Sequence, residues 1–217
     1  MLLRPASCMP DRCFCEAIRS GAIMQPANTW SSLAFVITGA AVLLGARNIQ
    51  SRFFGAILVF LGIGSAYYHA TLTFSGQFID VLGMYLVATL ALFHAIDRRA
   101  KMRSPSLAAL YIGTNIALAS ILYWLPSLRR AVFGVIVMFF IILERAHIRN
   151  LIRAAGVLAL AFIIWLIDYY RVACNASSVV QGHAIWHILG AVASWLIYTD
   201  YLASDRLSSQ YVARIRK

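Results

Sequence analysis

Uncharged apolar runs, each close to the length of a bilayer crossing, recur along this 217-residue chain and leave room for few other architectures. A helix needs about 20 predominantly apolar residues to cross the hydrocarbon core, where every backbone polar group must be satisfied within the protein. The runs predict seven transmembrane helices, near residues 29–46, 53–72, 77–96, 106–124, 127–143, 151–170 and 183–201. The expected fold class is all-α, a seven-transmembrane helix bundle. The uncharged cores of the fifth and sixth spans, 131–143 and 154–167, are short, and Arg130 and Arg153 at their edges can snorkel toward water. Composition agrees: 61% of residues are hydrophobic, 12% are charged and mean hydropathy is +0.76, which excludes an ordinary soluble domain.

A formal net charge of +11 raises the question of a nucleic-acid partner. The cations lie in short links between apolar runs rather than in a stripe, so none is expected. Arg4, Arg12, Arg19, Arg129, Arg130 and Arg171 fall on one side of the membrane, and the other 13 of the 19 basic residues fall on the opposite side. The positive-inside rule then places the N-terminus outside and the C-terminus in the cytoplasm. The expected organisation is a single integral membrane domain over 1–217, with an extramembrane tail at 1–27 and a cytoplasmic basic tail at 204–217. The first 27 residues lack the apolar core of a signal peptide. Cys8, Cys13, Cys15 and Cys174 all fall on the external side, where disulfides persist. One bridge from the tail to the sixth-to-seventh link is expected, but four cysteines allow three full pairings and their spacing selects none. A Cys/His zinc site is the alternative use for them.

Ionisable groups inside spans are costly and mark functional sites. His183 and His187 stand one turn apart at the start of the seventh span, Ser65 and His69 one turn apart at the end of the second, and Asp80 one turn inside the third. The direction of each span brings these five residues to one depth near the external face, and residues four apart share a helix face. His94 and His147 fall at the cytoplasmic side. A three-histidine set with an open fourth position is the geometry of catalytic zinc, which activates water near neutral pH. Asp80 is the candidate general base and Ser65 the candidate donor to the oxyanion of an attacked carbonyl. The implied reaction is hydrolysis of an amide or ester carried by a lipid, with one Zn2+ per chain. Asp168, Glu16 and Trp186 are candidate supporting residues, Trp186 being most simply an interfacial aromatic. Gly62 and Gly64 are expected at close helix contacts. Haem is the rival ligand, but two histidines suffice for it, leaving the third and Asp80 without a role.

The motifs Asn28-Thr29-x-Ser31, Gly62-x-Gly64-Ser65-x-x-x-His69, Gln77-x-x-Asp80-x-x-x-Met84, Asp168 followed by Cys174, and His183-Ala184-x-Trp186-His187 together resemble the alkaline ceramidase family. That family belongs to a wider group of seven-helix membrane hydrolases and receptors that includes the progestin and adiponectin receptors. The resemblance runs from Cys15 to Tyr201. It implies zinc held by His69, His183 and His187, with Asp80 and Ser65 beside it, and a disulfide between Cys15 and Cys174. It also implies hydrolysis of the amide bond of ceramide to a sphingoid base and a fatty acid. A lipid-binding receptor of the same group with little or no hydrolysis is the alternative.

Two departures from the family pattern stand out. Members with a calcium-binding tail carry several acidic residues around a Cys-Glu pair, whereas here Glu16 survives in the surroundings Cys13-Phe14-Cys15-Glu16-Ala17-Ile18 and Gln25 occupies the place of a later glutamate. Calcium takes six to eight oxygen ligands with several carboxylates, which argues against a calcium site here. Val81-Leu82-Gly83 follows Asp80 where the family commonly has an acidic residue and a proline, a change that bears on substrate. Lys101 and Lys217 are the only lysines, as in proteins from GC-rich genomes. The localisation expected is therefore a bacterial inner membrane, with endoplasmic reticulum, Golgi or plasma membrane as alternatives, and ceramide is one candidate among N-acyl lipids.

Overall fold

A computed structural model describes residues 4–9, 13–46, 48–145 and 148–199, with the side chains of 148–150 not described. Seven helices account for most of these residues: α1 Pro26–Gly45, α2 Ile49–Thr71, α3 Phe74–Ala100, α4 Ser104–Trp124, α5 Arg129–Glu144, α6 Ile148–Tyr169 and α7 Gly182–Ile197. The expected spans all lie within or against these helices. A short 3-10 turn, Pro126–Leu128, leads into α5. Six spans, counting Pro126–Glu144 as one, are long and apolar enough to cross a membrane. The seventh, α7, is shorter and passes into a π turn at Tyr198 and Thr199. The protein is a multi-pass membrane helix bundle. Tyr201, His147 and the basic tail at 204–217 lie outside the described residues.

Local sequence signals set the helix ends that matter for the site. Pro26 opens α1, where its missing N–H costs nothing. The link between α2 and α3 is two residues long: Leu72 adopts a left-handed conformation (φ 49°), and the Thr73 hydroxyl then caps α3 by accepting from the Gly76 N–H. This tight reversal brings His69, in the last turn of α2, close to Gln77 and Asp80 in the opening turns of α3.

Helix α1 packs against α2 and α7, α2 against α3, α3 against α4 and α5, and α6 against α7. Small residues allow the closest of these approaches, as membrane helix pairs require. A Cβ on Gly39 would sit 2.6 Å from the Gly55 carbonyl oxygen, and one on Gly62 would sit 2.8 Å from the Val36 nitrogen. Gly64 faces Ile79 of α3 in the same way. The α5 and α6 backbones share little contact. Arg130 of α5 bridges them by lying over the rings of Trp165 and Tyr169 of α6, at 5.7 and 4.4 Å.

The N-terminal tail is a lid of packed structure over one end of the bundle. Ala6, Cys8, Cys13 and Phe14 form an apolar cluster with Tyr68 and Leu72 at the end of α2. The tail backbone bonds to the helix ends, with Ala6 N–H donating to Leu72 O and Met24 N–H to Ala70 O, both at 3.0 Å. Disulfides join Cys8 to Cys13 and Cys15 to Cys174, so the tail is tied both to itself and to the link between α6 and α7.

Candidate metal centre

Beneath this lid, His69 of α2 and His183 and His187 of α7 each offer one ring nitrogen, and these atoms lie within 4.8 Å of one another. All three residues are buried. His69 Nε2 and His183 Nδ1 have no hydrogen-bond partner among the described residues. Buried polar atoms are almost always satisfied, so converging, unpartnered imidazole nitrogens fit a group that bonds to lone pairs. The cluster can hold a metal ion. His94 lies 14 residues beyond Asp80 on α3, about 21 Å at 1.5 Å per residue, and takes no part.

For His69 and His187, neighbouring groups fix which ring nitrogen is free. Gln25 is fully buried, and its Nε2 donates to the Glu16 carbonyl at 3.0 Å, which orients the amide. Its Oε1 then accepts from His69 Nδ1 at 2.8 Å, so Nε2 of His69 keeps its lone pair. The Gln25 N–H also donates to the His69 carbonyl at 3.1 Å. His187 Nδ1 lies 2.9 Å from Ser31 Oγ and 3.3 Å from Ser32 Oγ. Both serines donate to the Asn28 carbonyl, at 3.0 and 2.8 Å, which leaves Ser31 as acceptor for Nδ1–H. Outer partners of this kind hold metal-binding histidines in one tautomer and orientation. The Phe14 ring meets His69 and His183 edge-on, with centroids 5.1 and 4.4 Å away, and closes the cluster from the tail side.

Asp80 and Ser65 stand together beside the histidines, lining one cavity with His183 and His187 and interacting with each other. The Ser32 hydroxyl is shared between Asn28 O and Ser65 Oγ, at 3.1 Å from the latter. Polar groups thus run from His187 through Ser32 and Ser65 to Asp80. Asp80 is partly accessible and lines two cavities that meet at the cluster. The larger, about 430 Å³, extends between α5 and α6. The smaller, about 130 Å³, is lined by Ser65, Asp80, His183 and His187, then by Phe35, Phe54, Ala193 and Ile197 farther along the bundle. Trp186, read from sequence most simply as an interfacial aromatic, lines both cavities, since it follows His183 on the same inward turn of α7.

A family profile described as Ceramidase matches residues 11–214, nearly the whole chain. The chain belongs to the ceramidase family. An alkaline ceramidase of Drosophila melanogaster is 26% identical over 219 residues, covering 90% of this chain and 76% of that protein. Two Dictyostelium discoideum proteins that carry the alkaline ceramidase name provisionally, dcd3B and dcd3A, are 23% and 20% identical, and the matches cover 61% and 64% of their lengths.

In this ceramidase-family protein the remaining candidates serve the frame around the cluster. The Asp168 carboxylate accepts from Cys15 N–H at 3.0 Å and from the N–H groups of Gly182 and His183 at the start of α7. It therefore anchors the tail and the histidine-bearing helix together. Glu16 does the same for α1, accepting from Ala27 and Asn28 N–H at 2.8 and 2.9 Å. Acidic groups suit both places because helix N-termini carry unpaired donors and positive potential. Burial pushes the Glu16 carboxyl up from its ordinary value, with the two N–H groups pulling the other way. Sequence reasoning overlooked Gln25, Ser31 and Ser32 as partners of the histidines. The available signal was the polar run Gln25 to Ser32 at the start of an otherwise apolar helix.

Proposed function

We propose that this protein is a zinc-dependent amidohydrolase of the membrane that cleaves the N-acyl bond of ceramide or a related lipid. The observation that carries the reading is the convergence of three buried imidazoles, two with unpartnered nitrogens, beside the Asp80–Ser65 pair at the meeting of two cavities. His69, His183 and His187 would hold one zinc ion, since three neutral nitrogens with an open position are the set used at catalytic zinc sites. Zinc held there supplies Lewis acidity, polarising an amide carbonyl and lowering the pKa of water.

The residues of the chain do the rest. Asp80 takes a proton from the attacking water and passes it to the nitrogen as the carbon–nitrogen bond breaks, giving a fatty acid and a free amine. Ser65 donates to the Asp80 carboxylate and holds it in place, and the same hydroxyl is near enough to the cluster to serve the developing oxyanion in its turn. The apolar smaller cavity suits an acyl chain. The tail, pinned by Cys15 and Cys174, keeps bulk water from the histidines, which strengthens electrostatic interactions inside. We place this end of a single membrane domain outside, with residues 1–27 external and 204–217 cytoplasmic, on the distribution of arginines.

Purified protein incubated with a panel of N-acyl lipids should release free fatty acid, and Asp80→Asn should lower that rate about 10²–10⁴-fold, the usual worth of a general base. Protein that binds zinc and lipid but releases no fatty acid from any lipid class would support the receptor reading instead.

A further inference from the structure

Arg129 is a cation buried inside the bundle, only 8% exposed, and it lines the larger cavity together with Arg130. Its guanidinium donates to the Pro126 carbonyl at 2.7 Å and the Ser7 hydroxyl at 3.4 Å, and lies 3.7 Å from Cys13 Sγ. Each of these acceptors is neutral. Among the described residues no carboxylate is ion-paired with Arg129 or Arg130. Asp80, in the same cavity, acts on Arg129 through space but not as an ion pair. A buried charge held in this way stays expensive, because its desolvation is repaid in full only by an opposite charge at close range.

The second cation is held by a different device. Arg130 lies over the rings of Trp165 and Tyr169, which positions it at the same cleft while leaving its donors free of a carboxylate. Two adjacent arginines, one buried and one stacked, repel each other unless an anion sits between or before them. Guanidinium groups match carboxylate and phosphate oxygens with paired hydrogen bonds. The cavity they line also contains Asp80, His183 and Trp186, so whatever occupies it reaches the reacting centre. The apolar arm of the site is the other cavity, which is lined by no lysine or arginine.

We propose that the lipid cleaved by this protein carries an anionic group, a carboxylate or phosphate, on the amine side of its scissile amide, and that Arg129 and Arg130 bind that group. This rests on the hydrolase reading for the word cleaved, but not for the binding. Neutral ceramide, which has only hydroxyls there, brings no counter-charge of its own and leaves both guanidinium groups without an ion pair.

The test compares matched lipids in neutral detergent, one chain length throughout: an N-acyl amino acid bearing a carboxylate, an N-acyl sphingoid base bearing a phosphate, and neutral ceramide. Thermal stabilisation of the purified protein reads binding, and fatty-acid release reads turnover. Wild-type protein should bind at least one anionic lipid about tenfold more tightly than ceramide, and the carboxylate and phosphate arms show which anion fits. Arg129→Gln and Arg130→Gln should each shrink that ratio toward one, and Arg129→Lys should retain part of it. A simple fatty acid of the same length should not reproduce the preference, since a chain-end carboxylate is the product of the other cavity. Equal or tighter binding of ceramide by wild type overturns the proposal without needing any variant. An unchanged ratio in a folded Arg129→Gln protein also overturns it. Anionic preference without turnover would instead sink the hydrolase reading and leave the headgroup site standing.

Discussion

Gln25 commits its whole amide to the histidine end of the bundle, joining the Glu16 carbonyl to His69 Nδ1. Nothing else among the described contacts fixes the His69 ring from that side, so Gln25→Ala should weaken zinc binding about 10–100-fold, the usual cost of losing an outer partner of a metal ligand. Competition against a coloured chelator measures it, and unaltered affinity would mean that ring packing by Phe14 and Tyr68 is enough to orient His69. Glu16 carries a different prediction. Burial raises its carboxyl pKa, so its favourable contribution to stability is full in acid, below the ordinary value of 4.5, and is lost as pH rises through the raised value. Glu16→Gln, which cannot ionise, should therefore gain in melting temperature relative to wild type as pH rises from 4 toward neutrality. A difference that stays flat across that range would show that the Ala27 and Asn28 N–H groups offset the burial fully.

Among the elements, the pair α1 and α2 is the most exacting. Their crossing at Gly39, Gly55 and Gly62 sets the depth at which Ser32 meets Ser65 and the turn at which Gln25 meets His69. Gly62→Val places a Cβ 2.8 Å from the Val36 nitrogen and 3.0 Å from the Ser32 carbonyl. Overpacking of this kind costs about 1–3 kcal/mol, and the shift in Ser32 should also lower turnover. Gly113→Ala on α4, where nothing lies within 4 Å, is the matched control and should leave melting unchanged or slightly raised. Equal melting temperatures for the two variants would remove close packing as the reason for the α1–α2 glycines.

Across the whole molecule, hydropathy made the helices legible because each apolar run is close to a bilayer crossing. Direction of travel made the site legible, since alternating spans bring His69, Asp80 and His183 to one end. Other features were hidden for physical reasons. The tail reads as an extramembrane, cysteine-bearing arm without helical periodicity, yet it folds over the site because backbone hydrogen bonds, two disulfides and the apolar cluster around Phe14 hold it. Both the Cys8–Cys13 pairing and the roles of Gln25, Ser31 and Ser32 depend on which side chains meet across elements. Arg129 looked like an ordinary link cation, and its burial comes from the 3-10 turn that folds it back toward Ser7 and Cys13. The separation of α5 from α6, which opens the larger cavity, has no signature in the composition of either helix.

One metal ion at His69, His183 and His187 is proposed to drive cleavage of an N-acyl lipid. Titrating zinc into chelator-stripped protein while following fatty-acid release tests it most directly. Release should be abolished by stripping and should return linearly until one zinc per chain is bound, then plateau. Release that persists in fully stripped protein, or that does not return at one zinc per chain, would contradict it.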